Sequence, residues 1–342
     1  MEVQAMSNKM KIGLLSPFFL PISGYEEAAD QLNVDLVIVT PQRIDWKNHG
    51  VYGLVYNGQA WEEETVALPR SLYNRYYGPK PKIVSRIEAV IGKNKVFNHI
   101  TRFDKWMIHQ LLMASPLKGH LPVTAPYTPE DVVKYLERFK RLIVKPTSGR
   151  LGTKIYLVAE DQGVYYLYHG TRSPVRHFYL LEDLLSNVKS LVDEEFLLQQ
   201  YVPLASIDGR IFDVRLLAQK NGHGVWQISG MLSRMALSYS YVTNVTQAIL
   251  PVQEVLRRAF PYRDFIPRLT ELGIMAAQTI EASVGSLGEL SVDLGIDENG
   301  NIWIIELNAK PMKDTFRALG HDLLMQEIYL QPLLYARHLA TT

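Results

Sequence analysis

Apolar and polar residues alternate along the first ninety or so residues in a way that predicts short buried strands separated by a helix. The apolar runs 11–16 and 34–40 have the length of buried strands, and the charged segment 25–32 between them is helix-prone. This spacing is that of a βαβ unit. Two further runs, 50–58 and 81–87, continue the strand pattern. The pattern predicts a small open α/β domain, without the Gly-x-Gly-x-x-Gly turn of a dinucleotide-binding unit.

Two capping patterns predict helices in the middle of the chain. Thr101 and Asp104 have capping-box-like spacing, and apolar residues at helical spacing follow them, so a helix is predicted to start near Arg102. Thr128 followed by Pro129 predicts the N-cap and the first residue of a second helix, because proline at that position gives up no helical hydrogen bond.

Strands are predicted to follow the second helix. Runs 141–146 and 155–160 flank a basic, glycine-containing connection, and together they predict a hairpin whose loop can act as a flap. A further strand is predicted at 194–202. Residues 212–236 are predicted to form a long hairpin that turns at Asn221–Gly224.

The last predicted hairpin sets acidic side chains among buried strand residues. Asn299-Gly300 is a strong signal for a two-residue turn, in which both central residues have positive φ. With that turn, Asp293 lies directly opposite Glu306, and Asn308 lies diagonal to Asp293 on the same face. The other face is wholly apolar and pairs Val292 with Leu307, Leu294 with Ile305, and Ile296 with Trp303.

Two directly opposed carboxylates destabilise a hairpin unless a cation compensates them. Mg²⁺ is usually held by one or two carboxylates plus substrate phosphates, so the pair predicts a metal site. The alternative is that one carboxylate is solvated at the sheet edge while the other pairs with Lys310 or an arginine. Lys105 and Lys145 are candidate cations for the phosphates, and backbone N–H groups after Lys145 can cover phosphate oxygens.

The composition of the chain excludes several kinds of binding partner and of site. The chain has 342 residues, with 36 basic and 35 acidic side chains, so no overall field favours nucleic acid or an anionic membrane, and any anion site must be local. The absence of cysteine excludes disulfides, thiolate zinc sites and a cysteine nucleophile. Pro17 and Pro21 interrupt the apolar N-terminal stretch, and the longest uncharged run, 235–253, is too polar for a membrane span. We expect a cytoplasmic protein.

The order of these motifs resembles the ATP-grasp superfamily, most closely its endospore coat-associated members of the YheC/YheD type. The matching segments lie between residues 96 and 312 and read FNHITRFDKW, RLIVKPTSGRLGTKIYLV, FLLQQYV, FDVRLLAQ, SRMALSYSYVTN and VDLGIDENGNIWIIELNAKP. The resemblance implies an α+β ATP-grasp fold, in which two α+β subdomains clasp a nucleotide. It implies a small α/β domain at 1–95, followed by an ATP-grasp domain at 96–342 with a lid subdomain at about 128–198 and a metal-bearing subdomain at about 199–342.

The resemblance also implies which residues bind ATP. Lys105 and Lys145 would contact the α- and β-phosphates, and the loop from Thr147 to Gly152, with Ser148 and Gly149, would close over them. The hinge strand Gln199, Gln200, Tyr201 and Val202 would read adenine through backbone groups and the Gln199 side chain. Asp208 lies where relatives often bind ribose.

Catalytic and metal-binding roles are implied for the C-terminal half. Arg215 and Arg234 would face the γ-phosphate and the acyl-phosphate intermediate, and Asn244 is a further catalytic candidate. Asp293, Glu306 and Asn308 would hold one or two Mg²⁺ ions. One segment departs from the pattern. Relatives commonly follow the asparagine with an Arg-Gly-Gly-like turn, whereas VTQAIL follows Asn244.

The implied activity is that of an ATP-dependent ligase that joins a small-molecule or peptide carboxylate to an amine through an acyl phosphate. Two alternatives remain open on the same fold. A phosphotransferase would leave the phosphoryl group on the acceptor, and a spore-coat or interaction protein would bind nucleotide with little turnover. Neither the acceptor nor the oligomeric state can be read from the sequence.

Overall fold

The computed structural model describes residues 9–149, 154–192, 195–243 and 245–342. Its strands form three sheets that follow one another along the chain. Within the described ranges, no helix is both long and apolar enough to cross a membrane.

The first sheet has seven strands in the order β3-β4-β2-β1-β6-β7, with β5 paired to β4. β1, β2, β6 and β7 run parallel, and α1 connects β1 to β2, so the predicted βαβ unit is confirmed. This sheet extends to Phe97, two residues past the predicted boundary, and the domain limits stay predictions. The elements are β1 (Met10–Leu15), α1 (Glu26–Leu32), β2 (Val34–Val39), β3 (Ile44–Asp45), β4 (Gly50–Tyr56), β5 (Trp61–Ala67), β6 (Leu72–Asn74), α2 (Lys82–Ile91) and β7 (Val96–Phe97).

The strand predicted at 81–87 is wrong, because this segment forms helix α2. Pro81 precedes its first helical residue, and the buried side chains of Val84 and Ile87 lie three residues apart, which is helical spacing. A short apolar run without strict alternation fits a strand or a helix, so apolarity alone did not distinguish the two at this segment.

The helix predicted near Arg102 starts three residues later than expected. α3 (Lys105–Met113) is capped by Asp104, whose carboxylate accepts a hydrogen bond of 2.8 Å from the Met107 N–H. Thr101 lies outside the helix and accepts a hydrogen bond of 2.9 Å from the Gly78 N–H. The later start makes Lys105 the first residue of the helix.

The second sheet is antiparallel and has the strand order β12-β11-β10-β9-β13-β8. The predicted cap of its first helix is confirmed, since Thr128 Oγ1 accepts a hydrogen bond of 3.0 Å from the Asp131 N–H. The elements are β8 (Thr124–Pro126), α4 (Pro129–Phe139), β9 (Arg141–Pro146), β10 (Tyr156–Asp161), β11 (Val164–His169), β12 (Pro174–Phe178), α5 (Leu181–Leu191) and β13 (Phe196–Gln200).

The third sheet has the strand order β17-β16-β15-β18-β19, with β14 paired to β15. One of its faces is apolar and packs on α7 through residues such as Leu216 and Val292. The elements are β14 (Ser206–Ile207), β15 (Arg210–Lys220), β16 (Trp226–Ala236), β17 (Thr246–Leu250), α6 (Val252–Ala259), α7 (Ile266–Val284), β18 (Glu289–Ile296), β19 (Ile302–Asn308) and α8 (Asp322–Thr341).

The last hairpin is closed by three residues instead of the predicted two. Asp297 pairs with Asn301, and Gly300 alone in the loop has positive φ, at 82°. Leu294 therefore pairs with Ile304 and Ile296 with Ile302, so both predicted pairings are wrong. A bulge at Ile305 then shifts the register back, and Asp293 lies opposite Glu306 as predicted.

Candidate nucleotide and metal site

A cleft lies where strand β19, at the edge of the third sheet, meets α3 and the second sheet. Strands β8, β9 and β13 line its other side. Its lining combines apolar walls with a few polar groups, which is typical of small-molecule sites. The lining residues are Lys105, Ile108, His109, Leu112, Leu121, Thr124, Lys145, Leu197, Gln199, Ile304, Ile305, Glu306 and Leu307.

Lys145 is a buried cation at this cleft, with 7% of its surface exposed. Its Nζ donates a hydrogen bond of 2.9 Å to Gln199 Oε1, and Gln199 Nε2 donates one of 3.0 Å to Thr124 Oγ1. Burial lowers the pKa of Lys145 to about 8; Glu306 opposes this change and Lys105 adds to it. A bound anion would restore the charge that burial disfavours.

Lys105 joins three parts of the cleft. Its Nζ lies 3.2 Å from Glu306 Oε1, and its backbone N–H donates a hydrogen bond of 2.9 Å to the carbonyl of Thr147, in the loop after β9. Ser148 and Gly149, at the start of this loop, are exposed, as a phosphate-covering loop requires. Gly152 lies outside the described residues.

His109 is a cleft residue that sequence reasoning missed. It lies four residues after Lys105 and so on the same face of α3, a spacing that could have found it. Burial lowers the pKa of His109 to about 4, and the charge of Lys145 contributes. The imidazole is therefore neutral at pH 7, so its ring has one hydrogen-bond donor and one acceptor.

The predicted hinge strand contributes unequally to the cleft. Gln199 lines it, whereas the Gln200 N–H donates to the Val123 carbonyl at 2.8 Å and the Tyr201 N–H to the Arg141 carbonyl at 3.3 Å. Val202 is buried. The donors of Gln200 and Tyr201 are thus used within the protein, and the adenine-reading role of this strand stays a prediction that depends most on Gln199.

Four charged side chains lie side by side on the other face of the third sheet, and three of them are buried while Arg215 is half-buried. Asp213 pairs with Arg234 across β15 and β16, and Arg215 pairs with Asp293 across β15 and β18. Arg215 Nε and Nη2 each donate to Asp293 at 2.8 Å, and Arg234 Nη2 reaches the same carboxylate at 2.9 Å. Thr243 donates its hydroxyl proton to Asp213. Asp213 and Thr243 were not singled out from the sequence.

The two facing acids are therefore each compensated by protein cations. Burial would raise the pKa of Asp293, but Arg215 and Arg234 outweigh it and lower this pKa to about 2. Glu306 is half-buried and pairs with Lys105. The sequence left open that one of the two acids pairs with Lys310 or with an arginine. Asp293 does pair with arginines, and Lys310 donates a hydrogen bond of 2.7 Å to the Arg75 carbonyl.

The donor set at this point fits Mg²⁺ in its chemistry. Asp293, Glu306 and Asn308 supply hard oxygen ligands, and Asn308 is partly exposed and pairs with Ser291 next to them. Among the described residues, no group of three or more acidic or histidine side chains is arranged to hold a metal ion. Asp293 Oδ1 accepts one arginine hydrogen bond and Oδ2 accepts two, so a metal ion that binds Asp293 would share Oδ1 with Arg215.

Asp208, which was predicted to bind ribose, lies apart from the cleft. Asp208, in the turn between β14 and β15, is exposed and pairs with Arg258 at 2.9 Å. Its ribose-binding role stays a prediction. Asn244 lies outside the described residues.

The second and third sheets also meet through the turn between β11 and β12. Arg172 donates from Nε to the Ser240 carbonyl and from Nη1 to the Gly209 carbonyl, both at 3.0 Å. Tyr241 is buried, and its hydroxyl donates to the Ile155 carbonyl at 2.8 Å. These contacts hold the second sheet against the third.

Comparison with known proteins identifies relatives in Bacillus subtilis (strain 168). The endospore coat-associated protein YheD is 26% identical over 290 residues, which cover 80% of this chain and 64% of YheD. The endospore coat-associated protein YheC is 22% identical over 332 residues, which cover 91% of this chain and 90% of YheC. The match thus spans less than two thirds of the length of YheD.

Solved structures share the fold. The ATP-grasp ligase PsnB, complexed with minimal precursor, matches with a TM-score of 0.58 and 15% identity, covering 98% of this chain and 100% of that chain. The VanG D-Ala:D-Ser ligase from Enterococcus faecalis matches with a TM-score of 0.53 and 15% identity, covering 96% and 99%. The α+β ATP-grasp fold expected from the resemblance is confirmed. The sequence pattern of the YheC/D-like ATP-grasp family matches residues 93–339, so the chain belongs to that family.

Proposed function

We propose that this protein is an ATP-dependent ligase that joins a carboxylate to an amine through an acyl phosphate, with Mg²⁺ at the acidic end of the cleft. The observation that carries the proposal is the convergence of Lys105, Lys145 and Glu306, which come from distant parts of the chain, at one cleft. PsnB and VanG share the fold and are named as ligases, which supports the proposal. One PsnB structure contains Mg and ADP, which also supports it. The substrates would be small molecules or peptides.

In this reaction a carboxylate oxygen attacks the γ-phosphorus of ATP, and ADP leaves. The amine nitrogen then attacks the acyl carbon, phosphate leaves, and the nitrogen loses a proton. Lys105 and Lys145 would neutralise the phosphates, while Arg215 and Arg234 would stabilise charge on the transferred phosphoryl group. Mg²⁺ bound by Asp293, Glu306 and Asn308 would supply further neutralisation.

The test is an ADP-release assay over a panel of carboxylate and amine pairs, with mass analysis of products. We expect at least one pair to give ADP, phosphate and a product whose mass equals acid plus amine minus water. The Lys145→Met variant measures background release. A phosphorylated acceptor as the final product would identify a phosphotransferase instead.

A second function is favoured by the relatives and by one segment of the chain. YheD and YheC are named as coat-associated proteins, and VTQAIL follows position 244 where relatives commonly have an Arg-Gly-Gly-like turn. A nucleotide-binding interaction protein, associated with the spore, would have these properties. ATP binding without ADP release across the whole panel would support this function over the ligase.

A further inference from the structure

Asn98 lies between the first sheet and the hairpin that carries the acidic residues. It directly follows β7, its backbone is left-handed at φ 55°, and 1% of its surface is exposed. Its Oδ1 accepts from the backbone N–H groups of Gly288 at 2.7 Å and Glu289 at 3.1 Å. Its Nδ2 donates to the carbonyls of Glu289 at 3.0 Å and Ala309 at 3.1 Å. These four bonds use the full capacity of the carboxamide.

The bonded carbonyls lie at the outer ends of the two strands of the hairpin. The ladder between β18 and β19 ends at the pair Ser291 and Asn308. Beyond that pair, the Asn98 carboxamide bridges β18 to Ala309, so a side chain replaces the next backbone rung. Because Ala309 directly follows Asn308, the bridge fixes the end of β19 relative to β18.

Asn98 is itself anchored to the first sheet. Asn74 Nδ2 donates a hydrogen bond of 2.8 Å to the Asn98 carbonyl, and the next residue, His99, donates its N–H to the Ser286 carbonyl at 3.1 Å. Gly288 permits this close approach, since a Cβ there would lie 2.4 Å from the Phe97 ring. The first sheet is thereby joined to the base of the acidic hairpin.

We propose that Asn98 is a positioning residue of the cleft. It holds the ends of β18 and β19 so that Glu306 and Asn308 stay level with Asp293, and it couples the first sheet to this alignment. The inference rests on the proposed function, since the alignment matters for a nucleotide bound with Mg²⁺. Asn98 acts through the strands and touches no substrate.

The test compares Asn98→Gly with Asn33→Gly. Glycine adopts the left-handed backbone of both residues without strain, so each variant removes only a side chain; Asn33 has φ 52° and ends α1, away from the cleft. ATP binding is measured by calorimetry with and without Mg²⁺, together with thermal unfolding. For Asn98→Gly we expect affinity with Mg²⁺ to fall about tenfold and affinity without Mg²⁺ to change less than about twofold. Asn33→Gly should change neither.

If Asn98→Gly lowers ATP affinity equally with and without Mg²⁺, or does not lower it at all, the positioning role is overturned. Wild-type protein that binds no ATP with Mg²⁺ overturns the proposed function itself, so the wild-type titration separates the two failures. If Asn98→Gly does not fold, Asn74→Ala takes its place, because it frees the Asn98 carbonyl and leaves the carboxamide bonds intact. We then expect a smaller loss confined to the Mg²⁺ condition, and unchanged binding overturns the role.

Discussion

Arg215 and Asp293 form a bidentate ion pair, in which Nε and Nη2 of the guanidinium each lie 2.8 Å from one of the two carboxylate oxygens. Arg234 adds a third hydrogen bond, of 2.9 Å, to Oδ2. A metal ion that binds Oδ1 would share this oxygen with Arg215, and the two cations repel each other, so we expect Mg²⁺ and Arg215 to compete for the carboxylate. A released guanidinium can bind phosphate in the same bidentate manner.

Substitution of the two facing acids should separate stability from metal dependence. Asp293→Asn removes a buried charge that Arg215 and Arg234 share, so we expect the free energy of unfolding to fall by about 3 kcal/mol and the Mg²⁺-dependent part of ATP binding to be lost. Glu306→Gln breaks a half-buried pair with Lys105, so we expect a change in stability below about 1 kcal/mol but the same loss of Mg²⁺ dependence. Urea unfolding and calorimetric titration measure the two effects.

Asp213→Asn is the matched control for Asp293→Asn. Asp213 is equally buried and belongs to the same four charges, but it is outside the predicted metal ligands. We expect a comparable loss of stability with Mg²⁺ dependence retained. If ATP binding still responds to Mg²⁺ in both Asp293→Asn and Glu306→Gln, the metal assignment is wrong.

The sequence predicted the facing pair for a sound reason but with wrong details. Alternation along a strand correctly assigned Asp293 and Glu306 to one face. The loop has one more residue than predicted, and the bulge at Ile305 adds one to β19, so the two errors cancel at this pair. The bulge breaks the alternation, since Ile302, Ile304 and Leu307 are the buried residues of β19, but the continuous apolar run 302–305 hides this break in the sequence.

The partners of the acids could not be predicted either. Arg215 meets Asp293 because β15 lies between β16 and β18 in the sheet, an order that depends on long-range packing. Local patterns gave the cap at Thr128 and the βαβ unit, because those depend on neighbouring residues. They failed at α2, where a short apolar run fits a strand or a buried helix.

Lys145 should make nucleotide binding depend on pH. Its pKa is lowered to about 8, mainly by burial, so the free protein loses this ammonium charge as the pH rises through 8. We expect ATP affinity to fall by up to about tenfold per pH unit above that point, because ATP binds the charged form. Lys145→Arg keeps its charge throughout and should give a flat profile in calorimetry between pH 7.5 and 9.5. A flat wild-type profile would show that Lys145 does not contact the phosphates.

Lys145 should destabilise the folded protein at neutral pH. A lysine whose pKa falls from 10.5 to about 8 on folding destabilises the fold while it is charged, and this cost disappears as the pH rises from 8 towards 10.5. Lys145→Met should therefore raise the free energy of unfolding at pH 7 by about 2 kcal/mol, and by less at pH 10. Urea unfolding at the two pH values measures this. A variant that is less stable than wild type at pH 7 would contradict it.

Gln199→Glu should move the pH profile of ATP binding. Gln199 Oε1 lies 2.9 Å from Lys145 Nζ, so a carboxylate there favours the ammonium, and we expect the midpoint to rise by about 1 pH unit. Gln200→Glu is the matched control, because Gln200 Oε1 accepts from the Val123 N–H at 3.2 Å and does not contact Lys145. Equal midpoints of ATP binding in the two variants would show that a group other than Lys145 controls the pH dependence.

Arg172 should slow the release of nucleotide. Its two hydrogen bonds to the Ser240 and Gly209 carbonyls hold the second sheet against the third, and the cleft lies between these sheets. Arg172→Ala removes both bonds, so we expect the dissociation rate of a fluorescent ATP analogue to rise about tenfold in stopped-flow measurements, with a smaller change in association. Arg176→Ala is the matched control, because this exposed arginine lies on the neighbouring strand β12 and its loss removes the same charge. Equal dissociation rates in the two variants would mean that the charge, and not the contact between the sheets, governs release.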